Sequence, residues 1–426
     1  MISFILLFSL ILLIVSGVAI PMAMGITIII VFFIGDYPLY LLAQGLISRA
    51  GNWALLSVLF FLTAGGFMNE LGVTQRLFDF ATACVGHIRG GLAHVNVLAS
   101  MIFAGISGSS AADVGGLGKI EYKAMREAGY DKKIIAGITV ASSVIGPIIP
   151  PSIVFILYAI IADVSIGKLF VAGVFPGILI GVSLMVTTYF RAIKNPKQFP
   201  ETKKTNISEF ISTFKGAILV IFAPILIILG MTSGYVSPTE AGAGAAVYSL
   251  FIGLLFKTIK IKPLWGALKT AMLQGAHAIL LVSLASVMGF ILTYERTPQL
   301  IAESLGIIAK SQWSMLFIIN ILSLLIGCFM SGTAALIILT PIFLPIVKNI
   351  GIDPIHFGVI LAYGLHIGTA TPPVGVGLYL MSDIAGLSFE DTVLGVAPYL
   401  VPLIISLFII TYFPQISLWL PNMLFR

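Results

Sequence analysis

The stretch MSGTAALIILTPIFLPIVKNIGIDPIHFGVILAYGLHIGTATPPVG, residues 330–375, sets the plan of the chain. It opens on a small polar tip, Ser331-Gly332-Thr333, inside an apolar run. It closes at 368–375, where glycines, threonines and a Pro-Pro pair interrupt a second apolar run. An earlier stretch repeats this order: Ser107-Gly108-Ser109-Ser110 is followed, at almost the same distance, by GPIIPPS at 146–152. Proline has no N–H to give to a helical ladder, and glycine admits tight backbone. Each stretch therefore predicts a helical hairpin with a polar tip, then a helix broken in its middle. Broken backbone at membrane depth is tolerated where protein or a water-filled cavity covers it.

The rest of the chain is suited to hydrocarbon. Of 426 residues, 59% are hydrophobic and 9% charged, against roughly a quarter charged in soluble domains. The mean hydropathy of +1.10 comes from repeated apolar runs near the ~20 residues that cross a bilayer. The net charge of +6 sits in short connections, where it reports topology rather than a nucleic-acid partner. Cys84 and Cys328 lie far apart with no ligand spacing, so neither a disulfide framework nor a metal cluster is indicated. There is no acid–base pair, nucleophile triad or nucleotide loop, which argues against an enzyme and against a bound cofactor. The first residues lack the charged start and cleavage site of a signal peptide and read as a retained membrane helix.

The fold expected is an all-α integral membrane protein of about ten spans, an inverted structural repeat with two re-entrant hairpins and two interrupted helices. The first repeat covers 1–195, with its hairpin at about 90–127 and its broken helix at about 133–161. A basic connection, 196–212, leads to the second repeat, 213–426, with its hairpin at about 313–348 and its broken helix at about 354–382. Residues 36–51 read as a polar connection and 257–269 as a basic loop. The segments 72–89 and 298–310 read as a matching pair of amphipathic surface helices. Weak internal identity supports duplication: Gly66-Phe67 and Thr74 recur as Gly289-Phe290 and Thr297 at an offset of 223. The basic segments 119–133, 191–204 and 257–269 belong in the cytoplasm by the positive-inside rule. The first hairpin then opens inward, the second outward, and both termini are periplasmic.

The interruptions hold the candidate chemistry. Hydroxyls of Ser107, Ser109, Ser110, Ser331 and Thr333, with His366, are candidate contacts for an anionic substrate, since neither tip carries Arg or Lys. Half-helix amino termini add unpaired N–H groups. Ser107, Gly108, Gly146, Pro150 and Ser152 in the first half, and Ser331, Thr333, Gly368, Thr369 and Thr371 in the second, offer hydroxyl and carbonyl oxygens to a cation. Neutral oxygens suit a weakly held monovalent ion better than a divalent one. Sodium fits best, and a proton stays open. Small residues also serve plain helix packing. Asp113 and His366 are ionisable groups at membrane depth, open to a functional or a structural role. An ion-coupled carrier is the leading reading, with a channel or passive pore as the alternative.

The motifs ISGSSAAD from Ile106, GPIIPPS from Gly146, SPTEAGAGAAVY from Ser237, SGTAALIILTPIFLP from Ser331 and GTATPPVG from Gly368 resemble the large membrane subunit of the tripartite ATP-independent periplasmic (TRAP) transporters. That resemblance implies a sodium-driven, elevator-type importer in a prokaryotic inner membrane. It implies two partners: a soluble periplasmic substrate-binding protein and a small four-helix membrane subunit, expected here as a separate chain. It implies substrates such as C4-dicarboxylates, sialic acid and other sugar or keto acids. Two Na+ ions are implied, one at the first tip with 146–152, the other at the second tip with 368–374, which brings Val374 into the ligand set. The family often has an acidic residue where this chain has Ser331, so the second site here relies on neutral oxygens.

Overall fold

The computed structural model describes residues 2–200, 205–306 and 311–425, with side chains outside 302–306. The described residues form helices and no strand. In the first half these are α1 (Ile2–Val15), α2 (Ile20–Ile34), α3 (Leu39–Ala50), α4 (Leu55–Glu70), α5 (Val73–Val85) and α6 (Gly91–Ser107). The single turn α7 (Ser110–Ala112) and a π-helical turn (Asp113–Leu117) lead into α8 (Gly118–Glu127), and α9 (Lys132–Ser143), α10 (Ile153–Ala162) and α11 (Ile166–Lys194) follow. The second half holds α12 (Ile207–Thr232), α13 (Pro238–Leu255), α14 (Ile261–Tyr294), α15 (Thr297–Gly306), α16 (Gln312–Phe329) and α17 (Gly332–Asn349). It closes with α18 (Pro354–Gly368), α19 (Val376–Ala385), α20 (Phe389–Tyr412) and α21 (Gln415–Leu424). Six described helices are long and apolar enough to cross a membrane, or seven if α3 and α4, bent by 47°, count as one span.

Helix ends fall where the sequence offers caps. Asp131, Ser152, Ser165, Ser237, Ser331, Asp353 and Ser388 each accept a backbone N–H of the following first turn, satisfying one of the donors that a helix start leaves orphaned. The amphipathic reading of 72–89 is realised in α5. Val73, Leu77, Phe78 and Ala81 face inward, while Gln75 Nε2 donates to Asp79 Oδ1 at 2.8 Å on the exposed side. Its expected counterpart is α15, and residues 307–310 of that segment lie outside the described residues.

Two expectations are corrected. Residues 36–51 are not a polar connection, because α3 occupies 39–50 and packs on α14, where Arg49 Nε donates to Ser286 Oγ at 3.1 Å. Residues 257–269 are not a loop, since α14 begins at Ile261 and carries Lys262 and Lys269 on its exposed face. Long lysine stems can run along an apolar helix while the ammonium stays in water, so charge density alone mimicked a loop. Both misreadings concern one repeated element: shifting α3 and α4 by the offset of 223 puts them on 262–293, the extent of α14. Beyond the last expected span, α21 folds back onto α11, with Trp419 and Phe175 ring centroids 5.6 Å apart.

The halves interlock. Helix α10 of the first half packs on α17 of the second, and α19 of the second packs on α7, α8 and the π turn of the first. Tyr158 Oη on α10 donates to the Pro354 carbonyl at 2.6 Å across the same seam. Outside this body, α4 lies between α13 and α14, and α14 also carries α2 and α3.

The tip at Gly108 is a tight steric point of the first hairpin. Its φ is +58°, and a β-carbon there would stand 2.8 Å from the Pro151 carbonyl oxygen. Gly108→Ala is expected to cost about 1–3 kcal/mol through left-handed backbone and overpacking. Gly115→Ala, where nothing lies within 4 Å, should shift stability by less than about 0.5 kcal/mol. Thermal unfolding of the two purified variants in detergent checks the contrast.

Candidate functional site

The first tip rests on the first break. Gly108 packs against Pro151, Ser152 and the Ile153 amide, and Gly146 faces Ser109 and Asp113 Oδ2. Ser107 Oγ donates to Asp113 Oδ1 at 2.5 Å. The π turn places this aspartate back over the tip, so a residue noted only as ionisable joins the oxygen cluster. Ser152 is fully buried with its hydroxyl committed: it accepts the Phe155 amide and donates to the Pro147 carbonyl. Asp113 Oδ2 and Ser110 Oγ, in contrast, are buried with no hydrogen-bond partner. Leaving such oxygens unpaired costs about 1–3 kcal/mol each, more for a charged one, and a monovalent cation among them would remove that cost.

The second half arranges the same parts differently. Val374 and Gly375 both donate their amides to the Cys328 carbonyl at 3.2 Å, so the second break is laced to the end of α16. Gly368 lies against the Gly327 backbone. His366 is buried, its Nδ1 2.7 Å from the Ala362 carbonyl oxygen and its ring packed under Gly332. Thr369 Oγ1 donates to the His366 carbonyl at 2.7 Å, and Thr371 Oγ1 to that of Ile367 at 2.8 Å. Ser331 caps α17 through the Ala334 amide. Both Pro-Pro bonds, 150–151 and 372–373, are cis.

The two tips meet at one cavity of about 580 Å³. Ser109 with Gly108 lines one side, Ser331 and Thr333 another, and Gln274 and His277 of α14 a third. Ile153 and Val154, the first residues of α10, and the first turn of α17 also border it. Two helix amino termini thus reach a single space, each with the partial positive charge of a helix start. A neighbouring cavity of about 530 Å³ shares Gln274 and Leu62 with the first and is lined by Ser107, Asn69 and Glu70. A third, of about 630 Å³, follows α14 in the other direction, past Ser286 to Pro341 of α17.

Of the residues singled out from the sequence, Ser109, Ser331 and Thr333 line the central cavity and Ser107 the adjacent one. Gly146, Pro150 and Ser152 lie behind the first tip, while Gly368, Thr369, Thr371 and Val374 belong to the second break. His366 supports a tip from below rather than lining the cavity. Sequence reasoning missed Gln274 and His277. Their signal was two polar residues inside the apolar run of α14, one turn apart and on one face.

Cysteines at positions 109 and 331, in a background lacking Cys84 and Cys328, should react with a small hydrophilic maleimide at least about tenfold faster than one replacing Thr369, which is 7% exposed. Equal labelling rates would deny the open cavity between the tips.

Comparisons with known proteins agree on one group. Residues 7–416 match the family model described as tripartite ATP-independent periplasmic transporter, DctM component. The chain is 40% identical over 382 residues to the sialic acid TRAP transporter large permease protein SiaM of Vibrio cholerae, covering 89% of each chain. It is 40% identical over 387 residues to the C4-dicarboxylate TRAP transporter large permease protein DctM of Pseudomonas aeruginosa, covering 90% of each. Among solved structures, the Alcanivorax borkumensis YdaH transporter superposes with a TM-score of 0.63 over 91% of this chain and 90% of that one, at 16% identity. That last likeness is one of fold.

Proposed function

Because the chain belongs to the DctM component family of the tripartite ATP-independent periplasmic transporters, we propose that it carries a small organic anion inward across the membrane, driven by sodium. It is a transporter subunit, not an enzyme. The observation that carries the reading is the cavity shared by both polar tips and by the amino termini of α10 and α17. A carboxylate can be held there by helix-start amides, the hydroxyls of Ser109 and Thr333, and His277, with no arginine or lysine lining the space. Relatives are named for sialic acid and for C4-dicarboxylates, and both are carboxylates, so the substrate class is a small carboxylic acid.

Sodium is assigned to the oxygens behind each tip. In the first half, the unpartnered Asp113 Oδ2 and Ser110 Oγ lie with Ser107, Gly108 and the carbonyls of 146–152. In the second, Ser331, Thr333, Thr369, Thr371 and the carbonyls of 368–374 supply neutral donors. An ion at either place is one residue or one turn from the substrate space, so cation and anion occupy the core together.

The moving part is the interlocked body of α6–α11 and α16–α21, and the track is α14 with α4. Cavities strung along α14 are what a sliding surface between two bodies leaves. The partners are a soluble periplasmic binding protein that delivers the acid and a small membrane subunit that meets the outer helices α12 and α13. The setting is a prokaryotic inner membrane, with the first hairpin opening inward and the second outward.

Thr333→Val and Thr371→Val keep volume and remove one hydroxyl each. In the reconstituted complex each should raise the sodium concentration for half-maximal uptake by about one to two decades, the equivalent of ~1–3 kcal/mol per lost buried contact. Thr340→Val, whose hydroxyl is bound to the Leu336 carbonyl away from the tip, should leave it within about twofold. His277→Ala should raise the substrate KM about tenfold at saturating sodium, the loss of one hydrogen bond to a charged group. Unchanged sodium dependence in both threonine variants, at normal protein levels, contradicts the assignment of sodium to hydroxyls.

A further inference from the structure

Helix α8 buries a glutamate that the transport reading leaves unused. Glu121 is 1% exposed and sits with Asn96 (0%), Thr139 (2%), Ser142 (0%) and Ser100 (2%), contributed by α6, α8 and α9. As drawn, Asn96 Nδ2 donates to Glu121 Oε2 at 2.6 Å and to Thr139 Oγ1 at 2.7 Å. Ser142 Oγ stands 2.8 Å from Asn96 Oδ1 and 3.1 Å from the Thr139 carbonyl oxygen, and Ser100 Oγ lies 3.0 Å from Ser142 Oγ. Glu121 Oε1 is buried with no partner.

Among the described residues no cation pairs with this carboxyl. The helices packed on α8 are α6, α9 and α19, with the π turn. They bring His94, Lys132, Lys133, Asp383 and Asp113, and α8 itself carries Lys119, Lys123, Arg126 and Glu127. His94 bonds the Arg89 carbonyl, Lys133 pairs with Asp391 at 2.7 Å, and Arg126 donates to the Tyr130 carbonyl. Lys119, Lys123, Glu127 and Asp383 are exposed and Lys132 is half-buried. Among the described residues the single ion pair is Lys133–Asp391, so an ionised Glu121 would be a buried, unpaired charge.

We propose that Glu121 is a resident proton-binding site of the transporter core. The hydrogen-bond arithmetic points the same way. With Glu121 ionised, Oε2 accepts from Asn96 Nδ2 and faces the Thr139 hydroxyl, but Oε1, which shares the negative charge, has no donor. Turning the Asn96 amide end for end leaves its heavy atoms in place, and one added proton on Oε2 then gives a network with no buried charge. Glu121 Oε2–H and the Thr139 hydroxyl donate to Asn96 Oδ1, Asn96 Nδ2 donates to Ser142, Ser142 to the Thr139 carbonyl, and Ser100 to Ser142. A separation of 2.6 Å is ordinary for O–H···O and short for N–H···O. The proton stays with the core while the coupling ions come and go, and it keeps charge out of the packing between α6, α8 and α9. This inference does not use the sodium sites or the substrate.

Infrared spectra of the membrane-reconstituted complex with 13C-labelled glutamate should show, at neutral pH, the isotope-shifted C=O band of a protonated carboxyl, lost in Glu121→Gln. Glu121 is the one glutamate buried among the described residues, so the band is assignable. Glutamine imitates the neutral acid, so E121Q should assemble and transport within about twofold of wild type at neutral pH. It should also keep its activity at alkaline pH, where wild type falls as Glu121 loses its proton. Absence of the band, failure of E121Q to assemble, or superimposable alkaline limbs would each overturn the proposal.

Discussion

Everything in this fold answers to the need to cover backbone polar groups that a broken helix exposes in a membrane. At the second break the solution is direct, with two consecutive amides, Val374 and Gly375, sharing the Cys328 carbonyl at the end of α16. At the first it is steric and local. The Gly108 tip closes over Pro151 and Ser152, whose hydroxyl ties the Pro147 carbonyl to the start of α10. A lipid-facing break would leave these groups to hydrocarbon at several kcal/mol each. The hairpins are the cover, and the oxygens that the cover does not consume become available to an ion.

The same requirement couples the halves. A hairpin that covers its own break must end beside it, and the reciprocal packing of α10 on α17 and of α19 on α7 and α8 brings both covered breaks into one body. Two half-helix amino termini then meet at a shared cavity, closed on its third side by α14. That geometry lets a chain with no basic residue at either tip present helix-start amides and hydroxyls to an anion. In the proposed reading the interlocked body would hold the ions and present hydroxyls to the acid, while Gln274 and His277 of the neighbouring helix face the same space from outside.

What could be read from the sequence were the interruptions, because glycine, proline and hydroxyls inside apolar runs are rare enough to mark broken backbone. The helices stop at 108–109, 144–152, 330–331 and 369–375, at those glycines, prolines and hydroxyls. Residues 36–51 and 257–269 misled because charged side chains read like a loop when burial is unknown: Arg49 turns to Ser286 of α14, and the lysines of α14 stay on its exposed face. Asp113 looked a turn away from the tip, and a π-helical register was needed to return its carboxylate to Ser107. Gln274 and His277 show only as two polar residues one turn apart on a long apolar helix, a sign that gains meaning from what folds opposite it. Ser152 shows the reverse: its type and place suggested a free ligand, and the structure spends its hydroxyl on a helix cap and a carbonyl.

The central claim, that sodium and a small carboxylic acid move together through the space between the tips, is tested most directly by uptake into proteoliposomes. The chain would be reconstituted with its small membrane subunit and its binding protein, with no ATP. An inward sodium gradient should drive accumulation of the labelled acid above its external concentration, and choline in place of sodium should abolish it. Equal accumulation in choline, or equilibration without accumulation in sodium, would contradict the account.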